Sequence, residues 1–289
     1  MLEFNHEIMS NEYADKKEQL ELYLNEILFI LYKLNSKLEG NCFYVNDTFY
    51  RFNDLITKQL NLYWSGKQAT KRIGEIGFNA GHSAVLMLLS QDKTNIDYTI
   101  FDIGIHPYVK PCLNYVKSKF TSVNFEYVEG DSVKTLPSWI ESNANLIEQY
   151  DVFHVDGGLT LECITSDMKY ADILTKPDGI IIIDDTNYVY INDCIDTYIN
   201  SGNYREIQIL KTSGYPHRII QKINSNIPHV DDMPHLEVVP DNELVEAPKP
   251  VAVKPVEAPK PVAVKPVVAL KPVAVKPVVA PKPAKKRLW

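Results

Sequence analysis

A glycine-rich turn and a series of acidic side chains are the residues of this 289-residue chain best placed to do chemistry. The turn reads Glu75-Ile-Gly77-Phe78-Asn79-Ala-Gly81-His82-Ser83. Gly77 and Gly81 permit a tight bend and let the backbone, with Phe78 and Asn79 between them, approach a ligand closely. Ser83 and the free N–H groups of a helix start would offer donors to an anion, and Glu75 matches an ammonium. A pyrophosphate site asks for GxGxxG, whereas this loop is ExGxxxGxS, so a zwitterionic amino-acid moiety fits better than two phosphates. Asp102 follows Gly81 by 21 residues, the place of a carboxylate that grips a ribose diol. Asp131 and Ser132 follow the next apolar run and are placed to read an adenine edge. Taken singly, each of these acids also reads as a helix cap.

Two further runs end in Asp156-Gly157-Gly158 and Asp184-Asp185-Thr186-Asn187. Were these strands neighbours, about 4.8 Å apart, three carboxylates would converge on one rim. A hard divalent cation relieves the mutual repulsion of such a cluster, and Mg²⁺ takes one or two carboxylates plus water and substrate. The competing reading makes Asp184 and Asp185 helix caps and Asp156 a turn residue.

The elements that must position these groups alternate. Apolar, β-branched runs occur at Arg72–Gly77, Tyr98–Ile103, Asn124–Glu129, Asp151–Asp156 and Gly179–Asp184. Helical patterns at His82–Ser90, Tyr108–Phe120, Val133–Ile147 and Leu161–Leu174 separate them. This order implies right-handed βαβ units and a parallel sheet covered on both faces. A helix at Ile191–Ser201 leads into Tyr204–Leu210 and His217–Ile223, joined by KTSGYP. So short a link excludes a crossover helix and predicts an antiparallel pair. The expected fold is therefore α/β, a doubly wound, mostly parallel seven-stranded sheet closing in an antiparallel hairpin. Before it, residues 1–66 carry a helical stripe of Leu20, Leu24, Ile27, Leu28, Leu31, Leu34 and Leu38, then an aromatic segment with Phe43, Tyr44, Phe49, Tyr50, Phe52, Tyr63 and Trp64. That segment could roof a pocket or merely pack on the core.

With ExGxxxGxS, an Asp ending the second strand, GDS after the third and a terminal hairpin, residues 67–223 resemble class I S-adenosylmethionine-dependent methyltransferases. The loop is similar to that of the metal-dependent catechol and caffeoyl-CoA O-methyltransferase branch. The resemblance implies S-adenosylmethionine bound by Glu75, Gly77, Phe78, Asn79, Gly81, Ser83, Asp102, Asp131, Ser132 and Asp156. It also implies Mg²⁺ held by Asp156, Asp184 and Asp185. In that branch a Lys or His follows the fourth-strand Asp by three residues; here Leu159 stands there, so no base is assigned. His82, His106, His154 and His217 are candidates, His82 as a site residue or a helix-start donor and His154 as a core histidine. Transfer of a methyl group to an oxygen asks mainly for alignment, which accords with the absence of a nucleophile elbow.

Charge divides the chain. Residues 247–289 hold ten Lys or Arg against Glu257 alone, while the remainder carries a net −16. The final segment repeats APKPVAVKPVE with a period of eleven, and its prolines forbid a helix. It reads as an extended, disordered arm, either a spacer or an electrostatic tether, preceded by an acidic linker over 226–246. The α/β domain itself is expected over 67–225.

The acidic body argues against nucleic acid held by the fold, leaving recruitment only to the basic tail. A small-molecule or sugar hydroxyl is the expected acceptor. No apolar run suits a bilayer span, and MLEFNHEIMS lacks the pattern of a signal peptide, so a cytoplasmic protein is expected, with a homo-oligomer left open. Scattered Cys42, Cys112, Cys163 and Cys194 argue against a zinc site. One rival, a nucleotide-sugar or NAD-dependent Rossmann enzyme, predicts GxGxxG. The other is a catalytically degenerate methyltransferase fold serving as an interaction module tethered by its tail.

Overall fold

The computed structural model describes residues 4–43, 55–93, 95–212 and 215–224, all within one unit, Met1–Val238. The expected acidic linker, the repeat tail, the aromatics Tyr44, Phe49, Tyr50 and Phe52, and part of KTSGYP lie outside the described residues.

Seven strands form one sheet in the order β3-β2-β1-β4-β5-β7-β6. They are β1 (Arg72–Ile76), β2 (Asp97–Asp102), β3 (Asn124–Glu129), β4 (Tyr150–Val155), β5 (Thr175–Ile183), β6 (Tyr204–Glu206) and β7 (Arg218–Lys222). The first five pair in parallel, and β7 runs antiparallel to both β5 and β6. The helices are α1 (His6–Lys33), α2 (Ile56–Gln68), α3 (His82–Leu89), α4 (Val109–Lys119), α5 (Ser132–Ser142), α6 (Leu161–Leu174) and α7 (Val189–Asn200).

The four isoleucines of β5 show how the sequence builds both layers. Successive side chains of a strand point to opposite faces. Ile180 and Ile182 enter the core shared with α1 to α4, and Ile181 and Ile183 enter the one shared with α5 to α7. All four are fully buried, each contributing roughly 1.5–3 kcal/mol of apolar transfer. On the edge strand β3, exposed and half-buried residues largely alternate.

The leading helices belong to the first of these cores. In α1, Leu20, Leu24 and Ile27 are fully buried beside Ile73 and Ile100 of the sheet. Leu34, counted in the expected stripe, lies past the helix end and is exposed. A boundary at residue 66 would cut α2, whose residues Gln59–Gly66 are all buried.

Three elements differ from expectation. β5 begins at Thr175 instead of the expected Gly179. The helix expected over Val133–Ile147 is α5 followed by a 3₁₀ turn at Ala144–Leu146. The strand expected over Tyr204–Leu210 keeps only its first three residues. By Leu210 the backbone N–H and C=O bond to the Asn61 side chain of α2, at 3.2 and 2.9 Å, which replaces a strand ladder. No helix among the described residues is long and apolar enough to cross a membrane.

Candidate functional site

β1, β4 and β5 end side by side, so their trailing residues share one edge of the sheet. After β1 the chain turns at Gly77, whose φ of +86° lies in the left-handed region. A Cβ there would stand 1.8 Å from the Asp156 carbonyl oxygen, so the close approach of the two strand ends requires glycine. Asn79 also has positive φ, and its N–H donates to Asp102 Oδ2 at 2.8 Å. Gly81 then opens α3, presenting its first turn to a cavity of about 580 Å³.

Gly77, Phe78, Asn79, His82 and Ser83 line one side of that cavity. Asp156, Asp184 and Asp185 line another, and residues 39–42 complete it. The structure thus brings the glycine turn and the acidic rim together in one cleft. Asn79 lines this wall, and its buried Oδ1 has no hydrogen-bond partner.

Glu75 does not face the cavity. It is fully buried behind the turn, accepting hydrogen bonds from Ser83 Oγ, from Tyr98 OH at 2.9 Å and from His154 Nδ1 at 3.0 Å. It holds Ser83 at the start of α3 and orients His154, so its place is that of a support for the turn. Asp102 ties the turn to the loop after β2, accepting from the N–H groups of Asn79 and Gly104 (2.7 Å). Each of its oxygens keeps a further lone pair for a ligand hydroxyl. Asp131 caps α5 through the Val133 N–H and pairs with Lys134 at 3.0 Å. Asp131, Ser132 and Asp102 stand at strand ends but outside the lining of this cavity.

Under the rim lies a group the sequence reading missed. Lys58, on α2 and only 4% exposed, sets its Nζ 2.7 Å from Oδ1 and 2.6 Å from Oδ2 of Asp184. Asp184 Oδ1 also accepts the Asp185 N–H at 2.8 Å. Burial would raise the Asp184 carboxyl, but the Lys58 ammonium together with His217 and His154 outweighs it and holds the group below its ordinary range. Burial likewise opposes the charge on Lys58, and Asp184 with Asp156 outweighs it, raising the ammonium's pKa. Burial, then the nearby Asp184 charge, pushes Asp156 to about 8 and Asp185 to about 6. The signal for Lys58 was a single cation inside the otherwise uncharged run ITKQLNLYW.

The histidines separate. His154 is fully buried in β4; its Nδ1 meets Glu75, and its buried Nε2 has no partner. Burial favours its neutral form, yet the Glu75 hydrogen bond and the Asp156 charge prevail and raise it. Burial lowers His82 to about 4 and His217 to about 3, so both are neutral at physiological pH. His106 pairs with Glu39 at 2.9 Å and stacks on Tyr108, outside the cavity lining. Leu159 lines the cleft, and Thr160 caps α6 by accepting the Cys163 N–H.

The donor set bears directly on the expected metal. His154, Asp156 and Asp184 each bring one atom to within 4.8 Å of the others. Asp184, however, already faces an ammonium with both oxygens, and a dication on the same carboxylate would meet that positive charge at short range. The rim as folded does not fit a divalent ion held through Asp184.

Residues 75–186 match the family model described as a methyltransferase domain. No curated protein sequence matches the chain. Among solved structures, the O-methyltransferase from Bacillus cereus in complex with SAH is 16% identical, covers 70% of this chain and 91% of its own, and has a TM-score of 0.49. A TDP-rhamnose 3'-O-methyltransferase of calicheamicin biosynthesis is 16% identical over 58% of this chain and 80% of its own, with a TM-score of 0.46.

Proposed function

We propose that this chain, whose residues 75–186 match a methyltransferase domain, is a class I S-adenosylmethionine-dependent methyltransferase that methylates a hydroxyl oxygen of a small molecule or sugar. One observation carries the acceptor side of this reading: a single cleft joins the glycine turn after β1 to the acids that end β4 and β5. S-adenosylmethionine, when bound, supplies a methyl group on a positively charged sulfur, which an oxygen takes as the carbon–sulfur pair returns to sulfur.

The chain's own part is to hold both partners in line and dry. The free backbone N–H groups of the first turn of α3, that of Ser83 among them, receive the carboxylate of the methionine part, and Asn79 borders its ammonium. Asp102 takes the ribose hydroxyls, and Asp131 with Ser132 borders the base. The acceptor lies against Asp156, Asp185 and Leu159, with its hydroxyl proton passing to a rim carboxylate that Lys58 does not pair. The net charge of −16 outside the tail disfavours a polyanionic acceptor on this body.

Calorimetry with S-adenosylhomocysteine, followed by methyl transfer from labelled S-adenosylmethionine across a panel of phenols and sugars, tests the reading. Tight, stoichiometric binding and labelling at oxygen are expected. Absence of S-adenosylhomocysteine binding by folded protein would refute it. Binding without transfer to any acceptor would favour the degenerate, tail-tethered role.

A further inference from the structure

We infer that Lys58 is the resident cation of the acceptor half of the cleft, standing where the resembling O-methyltransferases use a divalent metal, so that this chain works without one. The inference rests on the methyltransferase reading and narrows how its acceptor is held.

Three observations converge on it. Lys58 reaches the rim from α2, in the part of the chain that precedes the sheet, and its ammonium contacts both oxygens of Asp184, at 2.7 and 2.6 Å. Both side chains are 4% exposed, so solvent does little to weaken the pair. Lys58 nonetheless lines the cavity together with Asp156 and Asp185, so the cation is buried from bulk water but open to a ligand.

The electrostatics explain why a cation must sit there. Three carboxylates at the ends of two adjacent strands repel one another, and a low-dielectric setting magnifies the repulsion. A fold can supply the missing positive charge by an ion or by a side chain. Here α2 supplies it, fixed in place by the burial of its neighbours Gln59, Asn61 and Leu62 and by the Asn61 bonds to Leu210.

An ammonium has three N–H donors. Asp184 engages at most two, which leaves one for an acceptor oxygen in the cleft. That donor would orient the oxygen and stabilise the negative charge it gains as its proton leaves, the service a metal performs elsewhere. Lys58 serves as a donor and not as the base, since its Nζ is held 2.7 and 2.6 Å from the two oxygens of Asp184.

The test uses the full chain with Mn²⁺ as the metal probe, read by electron paramagnetic resonance of free Mn²⁺. Each variant's fold is checked by circular dichroism and thermal melting. Wild type should leave Mn²⁺ free at the rim. Lys58→Met, by uncovering Asp184, should bind it more than about tenfold tighter, and Lys58→Met combined with Asp184→Asn should lose that gain. Lys58→Gln, similar in length and still a donor, carries the same comparison if the methionine variant does not fold. Methyl transfer by wild type should survive dialysis against EDTA. Mn²⁺ binding by wild type that Asp184→Asn abolishes would overturn the inference. So would EDTA-sensitive transfer restored by Mg²⁺, or a folded Lys58 variant that gains no Mn²⁺ site. A wild type that fails to bind S-adenosylhomocysteine would instead sink the methyltransferase reading, since the Mn²⁺ comparison does not depend on it.

Discussion

Replacing Gly77 by alanine should disable the cleft by two separable effects. The first is conformational: at a φ of +86° an L-residue carries a cost of about 1–2 kcal/mol. The second is steric. The new Cβ would fall 1.8 Å from the Asp156 carbonyl oxygen, a backbone atom that cannot swing aside as a flexible side chain can. Asp156 is itself tied to β1 through its N–H to the Ile76 oxygen at 2.9 Å, so relief must open the β1–β4 strand ends. Overpacking of this kind costs about 1–3 kcal/mol more. Gly202→Ala supplies the control, because Gly202 has a φ of +79° but nothing within 4 Å of its Cβ position.

In thermal melts the control should lose the conformational part alone. Gly77→Ala should melt a further ~2–12 °C lower, taking about 2–4 °C per kcal/mol for a domain of this size. Because the displaced backbone belongs to both sides of the cleft, S-adenosylhomocysteine affinity should fall at least tenfold, about 1.4 kcal/mol, in Gly77→Ala and stay unchanged in Gly202→Ala. Equal melting temperatures for the two variants, with unchanged affinity in both, would refute the argument.

Asp102→Ala, by removing the proposed ribose clasp and the anchor of the Asn79 N–H, should weaken S-adenosylhomocysteine about tenfold or more in calorimetry, since each charge-assisted bond contributes about 1.5–3 kcal/mol. Leu24→Ala, at a fully buried position of α1, should destabilise by about 2–5 kcal/mol in denaturant melts, with a single transition because α1 and the sheet share a core. Asp151→Asn should change the acid limb of stability. Burial would raise that carboxyl, but Lys176, Thr70 and two backbone N–H groups hold it below its ordinary 3.8. A depressed carboxyl stabilises above its unfolded value and loses that contribution as pH falls through the folded one. Wild type should therefore lose stability below about pH 4 more steeply than the variant in pH-dependent urea melts.

How much of this was legible beforehand depended on whether the signal was local. Runs such as Gly179–Asp184, with four consecutive isoleucines, declare a strand buried on both faces, and the short link before His217 declares the antiparallel pairing of β6 with β7. The glycine turn and the convergence of Asp156, Asp184 and Asp185 followed from strand ends in a parallel sheet, and all face the same cleft. What escaped were long-range pairings. Nothing in the spacing around Glu75 says that His154, 79 positions later, occupies one of its oxygens. Asn61 displaces a strand ladder at Leu210 across 149 positions, and Lys58 meets Asp184 across 126. Charge balance was the usable clue. An acid cluster needs a counter-charge, and the lone lysine in a buried run was available to provide it.

The parentage of the cleft has a practical corollary. Its donor-side wall and its acids are encoded after residue 72, whereas Lys58, Leu62 and the strap at Glu39–Cys42 are encoded ahead of the sheet. The proposed acceptor half thus draws on two stretches of the chain, with Asp156, Asp185 and Leu159 supplied from within the sheet domain and Lys58 from ahead of it. Exchanging the leading stretch would therefore change the lining around Lys58 while leaving the glycine turn and the three acids in place.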